Sequence, residues 1–181
     1  MIITGGKDKG RRIKTVNDKI VRPTSSKVRM SIFNMIQSSI EGAKVLDLFA
    51  GSGVLGIESI SRGAGEAVFV EKDRTVAKFL KENLTNLGIN HSLFVTDALN
   101  FLKKEQEINF DIIFIDPPYA SDLVEKSVEL IINRNLLAKN GLITIEYKAD
   151  RDLSQIVNKF NLMAVKQKKY GDTVISIVQQ D

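Results

Sequence analysis

The chain has 181 residues, 43% of them hydrophobic, which suits one α/β domain with a small appendage and leaves no room for a second substrate-binding domain. It contains no cysteine, which excludes a disulfide framework, a thiolate nucleophile and a cysteine-based metal site. The net charge of +4 is unevenly spread: residues 1–30 carry nine Lys or Arg against Asp8 and Asp18, a surplus of seven, so the remainder stands at −3.

A basic segment joined to a slightly acidic body is expected to meet a polyanion, with Arg11, Arg12, Arg22, Lys27 and Arg29 as the contacts. A solvated basic tail is the plain alternative. Met1 to Arg12 has no apolar core of a signal peptide, and apolar runs such as Ile112–Ile115 fall far short of the ~20 residues that cross a bilayer. A cytoplasmic protein without membrane contact is the expectation.

In chain order, Ile2-Ile3, the Gly5-Gly6 loop and the alternation of charged and apolar residues to Val21 predict a small hairpin. Thr24 or Ser25 can cap a helix to about Ser39, with Val28, Ile32, Met35 or Ile36, and Ile40 on its buried face. From residue 44 short apolar runs alternate with amphipathic stretches. Strands are predicted at Lys44–Phe49, Ala67–Glu71, Ser92–Thr96, Asp111–Ile115 and Leu142–Glu146, and helices near 54–62, 74–87, 98–104, 121–133 and 152–159. Leu46–Phe49 and Ile112–Ile115 are apolar almost throughout, as strands covered on both faces are. Leu162–Gln167 and Val174–Val178, around Tyr170-Gly171-Asp172, predict an antiparallel hairpin. The fold class is therefore α/β, a mostly parallel seven-stranded sheet with a C-terminal antiparallel hairpin, and it resembles the Rossmann-like class I methyltransferase fold. Residues 1–40 are expected to form a basic, RNA-contacting extension of hairpin plus helix, and 41–181 the catalytic domain.

Gly51-Ser52-Gly53-Val54-Leu55-Gly56 is a G-x-G-x-x-G that follows a strand and opens a helix, so a nicotinamide dinucleotide is one reading. Asp47 argues against it: a carboxylate ahead of the loop repels a pyrophosphate and attracts the ammonium of a methionine moiety, which favours S-adenosylmethionine. Asp47, Glu71, Asp97 and Asp116 fall at or near the carboxyl ends of four successive predicted strands, the edge where open α/β sheets bind ligands. Glu71 is placed to accept ribose hydroxyls, and Asp97 to accept from the adenine amino group, although Asp97 could equally cap a helix. Asp116-Pro117-Pro118-Tyr119 holds two of only three prolines. The prolines stiffen the loop and leave it carbonyl acceptors without N–H donors. Asp116 and the Pro117 carbonyl can accept both N–H groups of an exocyclic base amine, while Tyr119 stacks on the base. His91 reads as a surface turn residue, and no metal-ligand cluster is present.

Asp47-Leu48-Phe49-Ala50-Gly51-Ser52-Gly53, Ser61-Arg62-Gly63-Ala64 and Asp116-Pro117-Pro118-Tyr119, preceded by Arg22-Pro23-Thr24, resemble the bacterial 16S rRNA guanine-N2 methyltransferase family of the small-subunit methyltransferase D type, over nearly the whole chain. The resemblance implies methyl transfer from S-adenosylmethionine to one guanine of 16S rRNA, with rRNA or a small-subunit ribosomal particle as partner. A monomer is expected. The Asp-Pro-Pro-Tyr signature is shared with DNA adenine-N6 methyltransferases, so that activity, or a non-catalytic RNA- or nucleotide-binding module, is the alternative.

Overall fold

The structure, a computed structural model, describes residues 1–15, 25–90, 92–104, 108–118 and 122–180. Seven strands form one sheet: β1 (Lys44–Asp47), β2 (Glu66–Glu71), β3 (Ser92–Val95), β4 (Phe110–Ile115), β5 (Leu137–Lys148), β6 (Leu162–Tyr170) and β7 (Thr173–Gln180). Their order is β3-β2-β1-β4-β5-β7-β6. The first five run parallel, and β7 enters antiparallel between β5 and β6. The order reverses direction between β1 and β4, the crevice where ligands of doubly wound sheets bind.

The helices are α1 (Ser26–Met35), α2 (Val54–Ser61), α3 (Arg74–Leu87), α4 (Ala98–Lys103), α5 (Leu123–Asn133) and α6 (Ser154–Lys159). Two apolar layers result. Val45, Ile112 and Phe114 turn to one face of the sheet and meet Ile32 and Phe33 of α1, Ile57 of α2 and Leu80 of α3. Leu46, Ile113, Ile115 and Ile145 turn to the other and meet Phe101 of α4, Val128 of α5 and Ile156 of α6. The strand period of two and the helical period of 3.6 thus divide the same apolar runs between two cores.

Local chemistry sets the helix ends. The Ser25 side chain accepts the Val28 N–H at the start of α1, and that helix ends at Met35, followed by a 3-10 turn over Gln37–Ser39 rather than by continuous helix. Asp73 accepts from Thr75 and Val76 to open α3, and Gly88 at φ 69° closes it. β5 begins five residues before the predicted Leu142. Its pairing with β4 shifts between Phe110 and Ile112, and Asn140 at φ 64° with Gly141 interrupts the apolar pattern there.

Residues 1–13 form the expected hairpin: Ile2 bridges Arg12, Ile3 N–H donates to the Arg11 carbonyl at 3.0 Å, and Ile13 N–H donates to the Met1 carbonyl at 2.8 Å. The stretch from Val16 to Val21 lies outside the described residues. Ile3 and Ile13 are buried in the same core as α1 and α2. At the other end of the chain, Lys166 of β6 donates to the Met35 carbonyl at 2.7 Å and the Tyr170 hydroxyl donates to Ser31. The C-terminal hairpin is thereby held against α1.

Candidate active site

The carboxyl ends of the parallel strands open into a cavity of about 870 Å³, within the size range of small-molecule sites. Asp47 closes β1. It is 2% exposed, and its Oδ2 accepts the Gly56 N–H of α2 at 3.0 Å, which fixes the carboxylate at the cavity wall. Burial pushes its carboxyl up from the ordinary 3.8 to about 7; the Gly56 hydrogen bond opposes the rise and the charge of Glu71 adds to it. The carboxylate is thus held where desolvation makes a cation welcome.

Glu71, at the end of β2, accepts the Gly51 N–H through Oε2 at 2.9 Å and the Asp73 N–H through Oε1 at 2.8 Å. Each oxygen keeps a second lone pair, so the two bonds aim the carboxylate and leave it able to accept hydroxyl groups. Asp97, just beyond β3, caps α4 by accepting the Asn100 N–H at 3.1 Å and also borders the cavity. Its side chain is thus a helix cap placed at the cavity wall.

The glycine loop is shaped by packing as much as by ligand approach. Gly53 sits at φ 79°, and a Cβ there would lie 2.2 Å from Leu80 Cδ1, whereas at Gly56 it would lie 2.3 Å from the Phe69 ring. Gly51, at φ 53°, lines the cavity and Gly53 does not. Asn83, buried on α3, donates to the carbonyls of Lys14 at 2.8 Å and Ser52 at 3.1 Å and accepts the Lys14 N–H at 2.8 Å. One amide therefore ties the N-terminal segment to the glycine loop.

Across the cavity stands the acceptor loop after β4. Asp116 is half-buried, Pro117 buried and Pro118 exposed, and all three line the cavity. Tyr119 lies outside the described residues, as does Arg22. Strand order turns the acids into a row, Asp97 (β3), Glu71 (β2), Asp47 (β1), Asp116 (β4), with Glu146 of β5 as a fifth member that sequence reasoning missed. At about 4.8 Å per strand the row spans roughly 19 Å. The signal for Glu146 was available, since it closes the predicted strand Leu142–Glu146 just as Glu71 closes Ala67–Glu71.

The predicted RNA contacts separate. Lys27 is exposed beside the cavity mouth and Arg12 is exposed on the hairpin. Arg11 pairs with Asp8 at 2.7 Å and donates to the Asn86 carbonyl at 2.7 Å. Arg29 must be corrected: it is fully buried, with Nε on Glu58 Oε2 at 2.6 Å and a terminal nitrogen on the Ile2 carbonyl at 2.5 Å. Glu58 also accepts from Arg62 at 2.7 Å and from the Thr4 hydroxyl, so the Arg29 charge is used to lock the hairpin onto α1 and α2. The Ser61-Arg62-Gly63 turn serves the same lock. Lys7 N–H donates to the Ser61 carbonyl at 2.7 Å, and a Cβ on Gly6 would lie 1.8 Å from that oxygen.

The family profile described as conserved hypothetical protein 95 matches residues 1–179. The chain belongs to that family. Ribosomal RNA small subunit methyltransferase D of Buchnera aphidicola is 40% identical over 83% of this chain and 80% of its own length, and its Escherichia coli namesake is 32% identical over 99% and 89%. A solved Escherichia coli structure provisionally named methyltransferase yhhF superposes at TM-score 0.91, with 30% identity over 100% of this chain and 98% of that one. The Thermus thermophilus 16S rRNA N2 G1207 methyltransferase in complex with AdoMet and guanosine superposes at TM-score 0.72. At 21% identity, over 88% of this chain and 44% of that one, it speaks to the fold alone. The expected class I methyltransferase fold is the one found, and family membership agrees with the resemblance carried by the motifs.

Proposed function

We propose that this chain transfers a methyl group from S-adenosylmethionine to the exocyclic N2 of a guanine in 16S rRNA, in the cytoplasm, on free rRNA or on a small-subunit particle. The observation that carries the reading is the shared cavity: acids suited to an aminoacyl nucleoside line the ends of β1 to β3, and an acceptor loop suited to an amine faces them from β4. Close relatives named as rRNA methyltransferases support it.

The residues fit that donor. Asp47 takes the ammonium, Glu71 the ribose hydroxyls and Asp97 the adenine amine, while Gly51 lets the backbone come close. When bound, the donor supplies an electrophilic methyl group on a sulfonium centre. Asp116 and the Pro117 carbonyl accept the two N–H bonds of the target amine and turn its lone pair toward the methyl. The N–C bond would form as the S–C bond of the sulfonium breaks to leave a neutral thioether; the Asp116 carboxylate would stabilise the positive charge gained at nitrogen, and the surplus proton would pass to water. Alignment of the two reactants contributes about 7–11 kcal/mol, so no strong base is required. Tyr119 is assigned to stacking on the base. Arg12, Lys27 and Arg22, within residues 1–40, are assigned to phosphate contact against the catalytic domain 41–181.

The test is transfer of labelled methyl from S-adenosylmethionine to rRNA, small-subunit particles and duplex DNA in parallel, followed by nucleoside analysis. N2-methylguanosine from rRNA or particles is expected. N6-methyladenosine from DNA would replace the reading with the adenine-N6 alternative, and no transfer to any of the three would overturn it.

A further inference from the structure

Asp-Pro-Pro addresses an exocyclic amine, a group that guanine and adenine both carry, and so leaves the choice of base unexplained. The neighbouring strand supplies a group that can make that choice. Ile115 of β4 pairs with Ile145 of β5 in parallel register, on strands about 4.8 Å apart, and Asp116 and Glu146 are the next residue along each chain segment. Ile145 turns into the core under α5 and α6, so Glu146, next along β5, turns to the α1 face, where its partner on β7, Ile175, is buried. Glu146 is 8% exposed and borders the cavity together with Asp116 and Pro117.

We infer that Glu146 is a specificity-determining residue whose carboxylate accepts the N1–H of the target guanine while Asp116 and Pro117 hold the N2 amine. The inference rests on the amino-methylation reading above and adds to it the reason for the base. Guanine presents N1–H beside its amine, two donors in a row. Adenine presents an unprotonated N1, an acceptor, beside its own. An ionised carboxylate accepts and cannot donate, so it attracts the first edge and repels the second. Glu146 also has an interaction within the chain. A carboxylate offers about four lone-pair sites, so one N–H is accommodated beside it.

The experiment uses the full chain saturated with S-adenosylhomocysteine and follows guanosine, 2-aminopurine riboside and adenosine by ligand-observed NMR. The second nucleoside keeps the amine at C2 and lacks N1–H. The parental protein is expected to favour guanosine over it by about tenfold, the order a well-made base-edge contact provides. Glu146→Gln preserves shape, and its amide can turn either an oxygen or an NH2 to the base, so the preference should fall to within about twofold. Affinity for S-adenosylhomocysteine should stay unchanged, which a general loss of structure would not allow. A Glu146→Gln protein that keeps the tenfold preference overturns the inference. So does a parental protein that fails to distinguish the two nucleosides, including one that holds neither, and that result needs no variant. Methyl transfer to rRNA is scored separately: N2-methylguanosine with no nucleoside preference defeats the role of Glu146 alone, whereas absence of methyl transfer defeats the function reading.

Discussion

Asp47→Asn separates the energetics of the fold from those of the cofactor. With its carboxyl raised from 3.8 to about 7, folded Asp47 holds a proton that the unfolded chain has already released between those two values. The folded state then binds more protons than the unfolded state, so unfolding free energy falls as pH rises through this window. At 1.36 kcal/mol per unit, a rise of about three units makes this one group cost the fold up to about 4 kcal/mol at pH 7 and above. Nothing is lost below pH 4. Asparagine keeps an acceptor for the Gly56 N–H and carries no charge, so the variant should match the parent near pH 4 and exceed it by up to about 4 kcal/mol at pH 8. Urea unfolding of both proteins at intervals from pH 4 to 8, without ligand, reads the difference, and titrating groups that do not sense Asp47 cancel; Glu71, whose charge contributes to the rise, is part of the effect. On the role proposed for Asp47, the same variant should also bind S-adenosylhomocysteine far more weakly. Parallel stability curves across the whole range would refute the reasoning, since Asp47 would then not titrate differently in the two states.

Three further outcomes follow from particular contacts. Glu58→Ala strips Arg29, Arg62 and Thr4 of one buried acceptor and should cost about 3–5 kcal/mol in urea unfolding; a loss below about 1 kcal/mol would mean the lock is not buried as described. Asp116→Ala should slow single-turnover methyl transfer by about 10²–10³ at saturating donor with S-adenosylhomocysteine affinity intact. A parental rate would remove Asp116 from the reaction. Replacing Arg12, Arg22 and Lys27 together by alanine should flatten the dependence of log RNA affinity on log salt by about 0.7 for each phosphate that is no longer neutralised, and an unchanged slope would make these residues a solvated surface.

The strands β1, β2 and β4 were legible because they are short, nearly continuous apolar runs, and polar exits recur once per β/α repeat. That logic located Asp47, Glu71, Asp97 and Asp116 at one edge. It stopped one strand early, at Glu146, which lies inside β5 rather than at its end, with Tyr147 and Lys148 still to follow. Arg29 was misread for a different reason. Composition records a charge but not its neighbour, and Glu58 lies 29 residues onward on a helix whose eight residues are all buried. Periodicity marks which face is apolar, and an ion pair sunk in that face leaves no periodic trace. The start of β5 was hidden by Asn140-Gly141, a turn signal that the strand absorbs as an irregularity.

The lock that holds the first hairpin also sets a timetable for synthesis. Thr4 depends on Glu58, 54 residues later, and Lys14 on Asn83, 69 residues later. At about 5–20 residues per second, Asn83 is added roughly 3–14 seconds after Lys14. At the start of that interval the hairpin has only its own internal hydrogen bonds, and Arg29, Glu58 and Ser61 join it before Asn83 does. Its high charge and two adjacent glycines suit such a wait, since a strand edge that is basic and slow to order resists premature pairing.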